Sequence, residues 1–81
     1  MEEEVKQSII KIIHDYEKMN PSICVERKII DYPTLSQKIS TFLLSEGLKI
    51  RVEDINLARV GMPILNGSPC FPQIIVSIVG E

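Results

Sequence analysis

The sequence predicts one small α+β domain over residues 1–81, in the order helix, strand, helix, strand, strand, with two helices packed on one face of a small sheet. Three observations predict it. Apolar residues recur at helical spacing in residues 2–20 and again in residues 35–46, and each run ends at a helix-stopping signal. β-Branched residues dominate residues 23–30, 48–60 and 74–79. A chain of 81 residues, 44% hydrophobic and 25% charged, can bury one core and is too short for two.

The first helix rests on Val5, Ile9, Ile12, Tyr16 and Met19, a single stripe widened by Ile10 and Ile13. Glu2, Glu3 and Glu4 fall in the first turn, where negative charge complements the helix dipole. Asn20-Pro21 stops the helix, because the residue before proline disfavours the α region. Next, Ile23, Val25, Ile29 and Ile30 lie between Pro21 and Pro33 and read as a strand. Its centre, Glu26, Arg27 and Lys28, suits an edge strand or one bent by a bulge.

A second helix is signalled at both ends. Thr34 and Gln37 have capping-box spacing, and Leu35, Ile39, Phe42 and Leu43 form its apolar face. Gly47 follows Glu46 as the left-handed residue of a Schellman ending, with Leu48 folding back on Leu43.

Residues 48–60 admit two readings. With period two, Ile50 and Val52 alternate with Lys49 and Arg51, and Ile55 and Leu57 resume after an extra residue, giving a strand with a bulge near Glu53-Asp54. With helical spacing, Val52, Ile55 and Arg59 share a side. The β-branched Ile50, Val52 and Val60 favour the strand. The helical alternative would make the order of elements, and nothing else, resemble a winged helix, with Asn66-Gly67-Ser68-Pro69 as the wing tip and Arg51, Asn56 and Arg59 reading DNA. Glu53 and Asp54 among those side chains oppose phosphate binding, and no Lys or Arg follows Val60. The net charge of −2 points the same way.

The tail has a short apolar run at residues 62–65, the turn cluster at residues 66–69 and a last strand over residues 74–79, with Pro72 at its start. That strand is apolar on both faces. Ile75 and Val79 point opposite to Ile74, Val76 and Ile78, and two helices can cover only one set. The uncovered set calls for a protein partner, most simply a second copy.

The acidic opening is unlike a secretory leader, and no stretch approaches a membrane span. A cytoplasmic protein with both thiols reduced is the expectation. The sequon Asn66-Gly67-Ser68 then signifies only a turn.

Chemistry-bearing groups are sparse. His14, the only histidine, falls toward the polar side of the first helix and has no nucleophile or ligand at helical spacing. Cys24 and Cys70 match no metal-ligand spacing and read as two free thiols, at least one packed as a small hydrophobe; the alternative is a redox-sensitive Cys70 exposed in a loop. Gly47, Gly61, Gly67 and Gly80 form no phosphate-cradling pattern, and no serine sits in a nucleophile elbow. Asp15 with Glu17, and Glu53 with Asp54, are close carboxylate pairs without a supporting constellation.

The expectation is therefore a non-enzymatic interaction or assembly module, a homodimer or small subunit with no catalytic residue, metal or cofactor. Its expected surface comprises Ile75 and Val79, with Arg27, Lys28, Arg51 and Arg59 tuning the choice of partner.

Overall fold

The computed structural model describes residues 2–60 and 73–79. The expected apolar run at residues 62–65, the turn cluster at residues 66–69, Cys70 and Pro72 lie outside the described residues. The elements are α1 (Glu2–Met19), a 3-10 turn (Ile29–Asp31), α2 (Pro33–Ser45), a second 3-10 turn (Val52–Asp54), β1 (Ile55–Val60) and β2 (Gln73–Ile78). This is the α+β domain the sequence predicts, with two helices packed against a small antiparallel sheet.

Helix α1 ends where Asn20 caps it. Its backbone N–H and its side-chain amide both donate to the Tyr16 carbonyl, at 3.1 and 2.9 Å. The helix buries Ile9, Ile13 and Glu17, one residue per turn at i, i+4 spacing, with Val5, Ile10, Ile12 and Tyr16 half-buried beside them. Met19, expected to close the stripe, is 76% exposed, and the carboxylate of Glu17 takes the innermost position of that turn instead.

Helix α2 corrects one expectation and fulfils another. It begins at Pro33, with Tyr32 as N-cap and no side-chain cap hydrogen bond, so the Thr34–Gln37 capping box is not formed. Proline at N1 explains the earlier start: its φ already suits a helix, and it has no N–H to satisfy. The other end is a full Schellman motif. The Leu48 N–H donates to the Leu43 carbonyl and the Gly47 N–H to that of Leu44, each at 3.0 Å, with Gly47 at φ 70°.

Residues 23–30 correct the reading of a first strand. They contribute a single antiparallel bridge, Lys28 with Asn56, before turning into the 3-10 turn at Ile29. The backbone groups at the centre of this segment are satisfied by side chains rather than by a ladder, as described below. Residues 52–60 settle the other ambiguity: Val52–Asp54 form a 3-10 turn where a bulge was expected, and Ile55–Val60 form a strand. The helix that a winged-helix order requires over residues 52–60 does not exist.

Strands β1 and β2 pair antiparallel, Ile55 opposite Ile78 through Val60 opposite Gln73. Ile55, Leu57, Ile74, Val76 and Ile78 point inward. They join Ile9 and Ile13 of α1, Leu35, Ile39 and Leu43 of α2, and Val25, Ile29 and Val52 from the connections. Each such Ile or Leu fully buried contributes roughly 1.5–3 kcal/mol. Helix α1 lies against both α2 and β2, and α2 against α1 and the two 3-10 turns. The helices thus form one layer, and the sheet presents its other face outward.

Gly47 provides a clean test of the α2 ending, because a Cβ built there meets nothing within 4 Å. The cost of Gly47→Ala is then purely conformational, about 1 kcal/mol after the gain from a stiffer unfolded chain. Urea unfolding should show a lower midpoint at unchanged slope.

Candidate functional site

Two features stand out from the packed core: a buried ionic node on the inner side of the sheet, and an apolar outer sheet face.

The node is built by three segments. Glu17 sits in the last turn of α1 on its buried side, with its side chain 5% exposed. Arg59 lies on β1 in register with inward Ile74, so its guanidinium reaches under the sheet toward α1, with 17% of the side chain exposed. Between them passes fully buried Val25. One carboxylate oxygen, Glu17 Oε2, accepts the Val25 N–H at 2.7 Å and also pairs with Arg59 Nη2. The Val25 carbonyl accepts from Arg59 Nε at 3.1 Å and Nη2 at 2.8 Å. An extended segment without a sheet neighbour would leave these two backbone groups orphaned in the core, and the ion pair satisfies both. The remaining atoms, Glu17 Oε1 and Arg59 Nη1, are buried without a hydrogen-bond partner.

Tyr32 secures the same segment from the other side. Its hydroxyl donates to the Cys24 carbonyl at 3.3 Å and accepts the Glu26 N–H at 3.1 Å. Its ring meets Tyr16 edge-on, centroids 6.4 Å apart. The node and Tyr32 together fix residues 24–26 across the gap between α1 and β1.

The outer sheet face carries Asn56, Ala58 and Val60 of β1 opposite Ser77, Ile75 and Gln73 of β2. Val60, Ile75 and Val79 are 49%, 46% and 62% exposed. Arg27 and Lys28 are exposed along the outer edge of β1, where Lys28 bridges Asn56 and the Leu57 N–H donates to the Arg27 carbonyl at 3.4 Å.

The six residues expected to form one surface therefore divide. Ile75 and Val79 are exposed as expected, and Arg27 and Lys28 flank the opposite strand. Arg51 is exposed but paired with Glu53. Its hydrogen bond, followed by charge attraction to Glu53 and Asp54, raises the Arg51 pKa. That same bond, aided by one from the backbone, lowers the carboxyl pKa of Glu53. Arg59 is not a surface cation at all, because Glu17 and Val25 hold it inside. Sequence reading set Glu17 beside Asp15 as an unsupported carboxylate. Its position four residues after Ile13 on the buried face was the available signal, and the partner 42 residues away was not visible.

His14 is half-buried on α1. Cys24 is disulfide-bonded, which corrects the expectation of a free thiol there and marks a bond that a reducing cytosol disfavours. Among the described residues, no group of three or more His, Cys, Asp or Glu side chains could hold a metal ion. No helix among them is long and apolar enough to cross a membrane. The chain matches no protein-family model, no curated protein and no solved structure.

The node makes a prediction that inverts in sign with background. Arg59→Met leaves the Glu17 carboxylate buried and unpaired, and should lower unfolding free energy by about 3–5 kcal/mol. Glu17→Gln alone keeps an oxygen for the Val25 N–H but strands the Arg59 charge, and should cost about 3 kcal/mol. In the Arg59→Met background, Glu17→Gln should instead stabilise, because it removes the stranded charge. Urea titrations of the four proteins measure this cycle, and additive effects would refute the coupling.

The exposed pair should behave differently. The depressed Glu53 pKa contributes stability above the unfolded glutamate pKa, lost as pH falls through the folded value. Both side chains are open to solvent, so salt screens the pair, and Glu53→Gln should leave the thermal midpoint unchanged at physiological ionic strength.

Proposed function

We propose that this chain is a non-enzymatic interaction module that assembles through its sheet, with a second copy of itself as the partner. One observation carries the reading: the domain covers one face of its sheet, while Ala58, Val60, Ile75 and Val79 are exposed on the outer side. The β-branched Val60, Ile75 and Val79 gain by leaving water, and a domain this small has little further apolar surface of its own to cover them. Arg27 and Lys28 beside β1 add a charged border that favours some partners and repels others. Arg59 takes no part in that border, because its charge is spent on Glu17.

Sedimentation velocity tests the proposal. The wild-type chain should sediment as a dimer at high micromolar concentration. Ile75→Lys, a change at a half-exposed outward position, should shift it toward the monomer without lowering helix content. A wild-type chain that stays monomeric under those conditions would refute the assembly reading.

A further inference from the structure

We propose that two copies join edge to edge through β2, forming a continuous four-stranded antiparallel sheet in the order β1, β2, β2 of the second copy, β1 of the second copy. The inference rests on the assembly reading above for its partner, a second copy, and joins the two copies through the edge of β2 rather than through the outer face.

The phase of the ladder determines which backbone groups are free. The Val79 N–H donates to the Asp54 carbonyl at 2.8 Å, which places this pair at a hydrogen-bonded position. With Ile55 opposite Ile78 and alternation thereafter, Gln73, Ile75 and Ser77 turn their backbone groups toward β1. Ile74, Val76 and Ile78 turn theirs the other way. An independent bond agrees: the Leu57 N–H points away from β2 and donates to the Arg27 carbonyl. Among the described residues, the outward backbone groups of Ile74, Val76 and Ile78 meet no backbone partner. The two edges of the sheet therefore differ. Along β1, residues 27–28 occupy the edge at Asn56 and Leu57; along β2, no described residue does so.

The edge of β2 is suited to itself. A strand left at an edge is commonly guarded by charge, proline or a bulge. Strand β2, Gln73-Ile74-Ile75-Val76-Ser77-Ile78, has no charged residue and no proline. A two-fold axis through Val76 sets Val76 opposite its own copy and Ile74 opposite Ile78 of the other chain. All three outward residues are then used on both strands. The buried row continues as a buried row across the junction, so no side chain changes face. On the outer face Ile75 falls opposite Ser77, and Gln73 opposite Val79, with no like charges opposed.

The same arrangement explains why assembly stops at two. After pairing, both outer edges of the four-stranded sheet are β1 edges, each occupied at Asn56 and Leu57 by the segment carrying Arg27 and Lys28. The contact is isologous, and the bridge of residues 27–28 at each remaining edge opposes further addition of strands.

Amide hydrogen exchange by NMR, read together with sedimentation on the same samples, tests the pairing. At high micromolar concentration the Ile74, Val76 and Ile78 amides should be protected and should lose protection on dilution. The Ile75, Ser77 and Val79 amides, bonded toward β1, should stay protected at both concentrations. Val76→Pro removes one outward donor and no bond to β1, so it should abolish the dimer while those three amides remain protected.

Should that variant not fold, exposed positions test the register. Gln73→Lys with Val79→Lys sets like charges opposite one another twice across the two-fold axis. Gln73→Lys with Val79→Glu sets opposite charges there. The first double variant should dimerise roughly tenfold more weakly than the second.

A dimer whose Ile74, Val76 and Ile78 amides exchange at rates independent of concentration, or equal dimer affinity for the two double variants, would overturn edge pairing and leave the assembly reading in place. A monomer at high micromolar concentration would overturn both.

Discussion

The fold depends on the contact among Glu17, Arg59 and the backbone of Val25. It ties the end of α1 and the return segment eight residues later to β1, which lies 42 residues from Glu17, through one carboxylate oxygen and one guanidinium. A buried ion pair is weak evidence for stability, since desolvating two charges offsets much of their attraction. Its value here is of another kind. The segment through Val25 enters the core without a neighbouring strand, and its N–H and C=O would be costly if unmet. A carboxylate accepts the one and a guanidinium donates to the other, so the charged pair replaces two hydrogen bonds of a missing ladder. Apolar residues of similar size could fill the volume but could not meet that backbone.

This substitution explains the shape of the sheet. Because residues 24–26 are held by side chains of α1, β1 and Tyr32, the chain meets β1 at one bridge and then turns into Ile29–Asp31. Among the described residues the sheet is two-stranded, and a short run of chain occupies the edge of β1. Ile75 and Val79 of this end of the chain lie on the outside, and among the described residues the outward backbone groups of Ile74, Val76 and Ile78 meet no backbone partner. A two-stranded ribbon is at best marginal alone and depends on the helix layer beneath it. Extension through β2 would make the sheet four-stranded without adding an element to the chain.

Much of this was legible in local chemistry. Helix α1 and its stop at Asn20-Pro21, the Schellman ending at Gly47, and the interruption before Ile55 each follow from residues within one or two turns of the feature. So does the alternation that leaves Ile75 outward. The capping box was misread because Thr34 and Gln37 have the right spacing whether or not the preceding Pro33 starts the helix first. The strand over residues 23–30 was misread because β-branched residues favour extended backbone, and extended backbone need not be a ladder.

What the sequence by itself determined is the class of domain, the two helices and the two-faced character of the last strand, because hydrophobic periodicity and turn chemistry act over a few residues. Only the tertiary structure decided the roles of Glu17 and Arg59. A charge on a helix face or a strand reads as solvated until a partner is found, and that partner lies 42 residues away. The tertiary structure also decided which sheet edge residues 27–28 occupy. That depends on the phase of the β1–β2 ladder and on the bridge from Lys28 to Asn56, and both are set by contacts between segments distant along the chain.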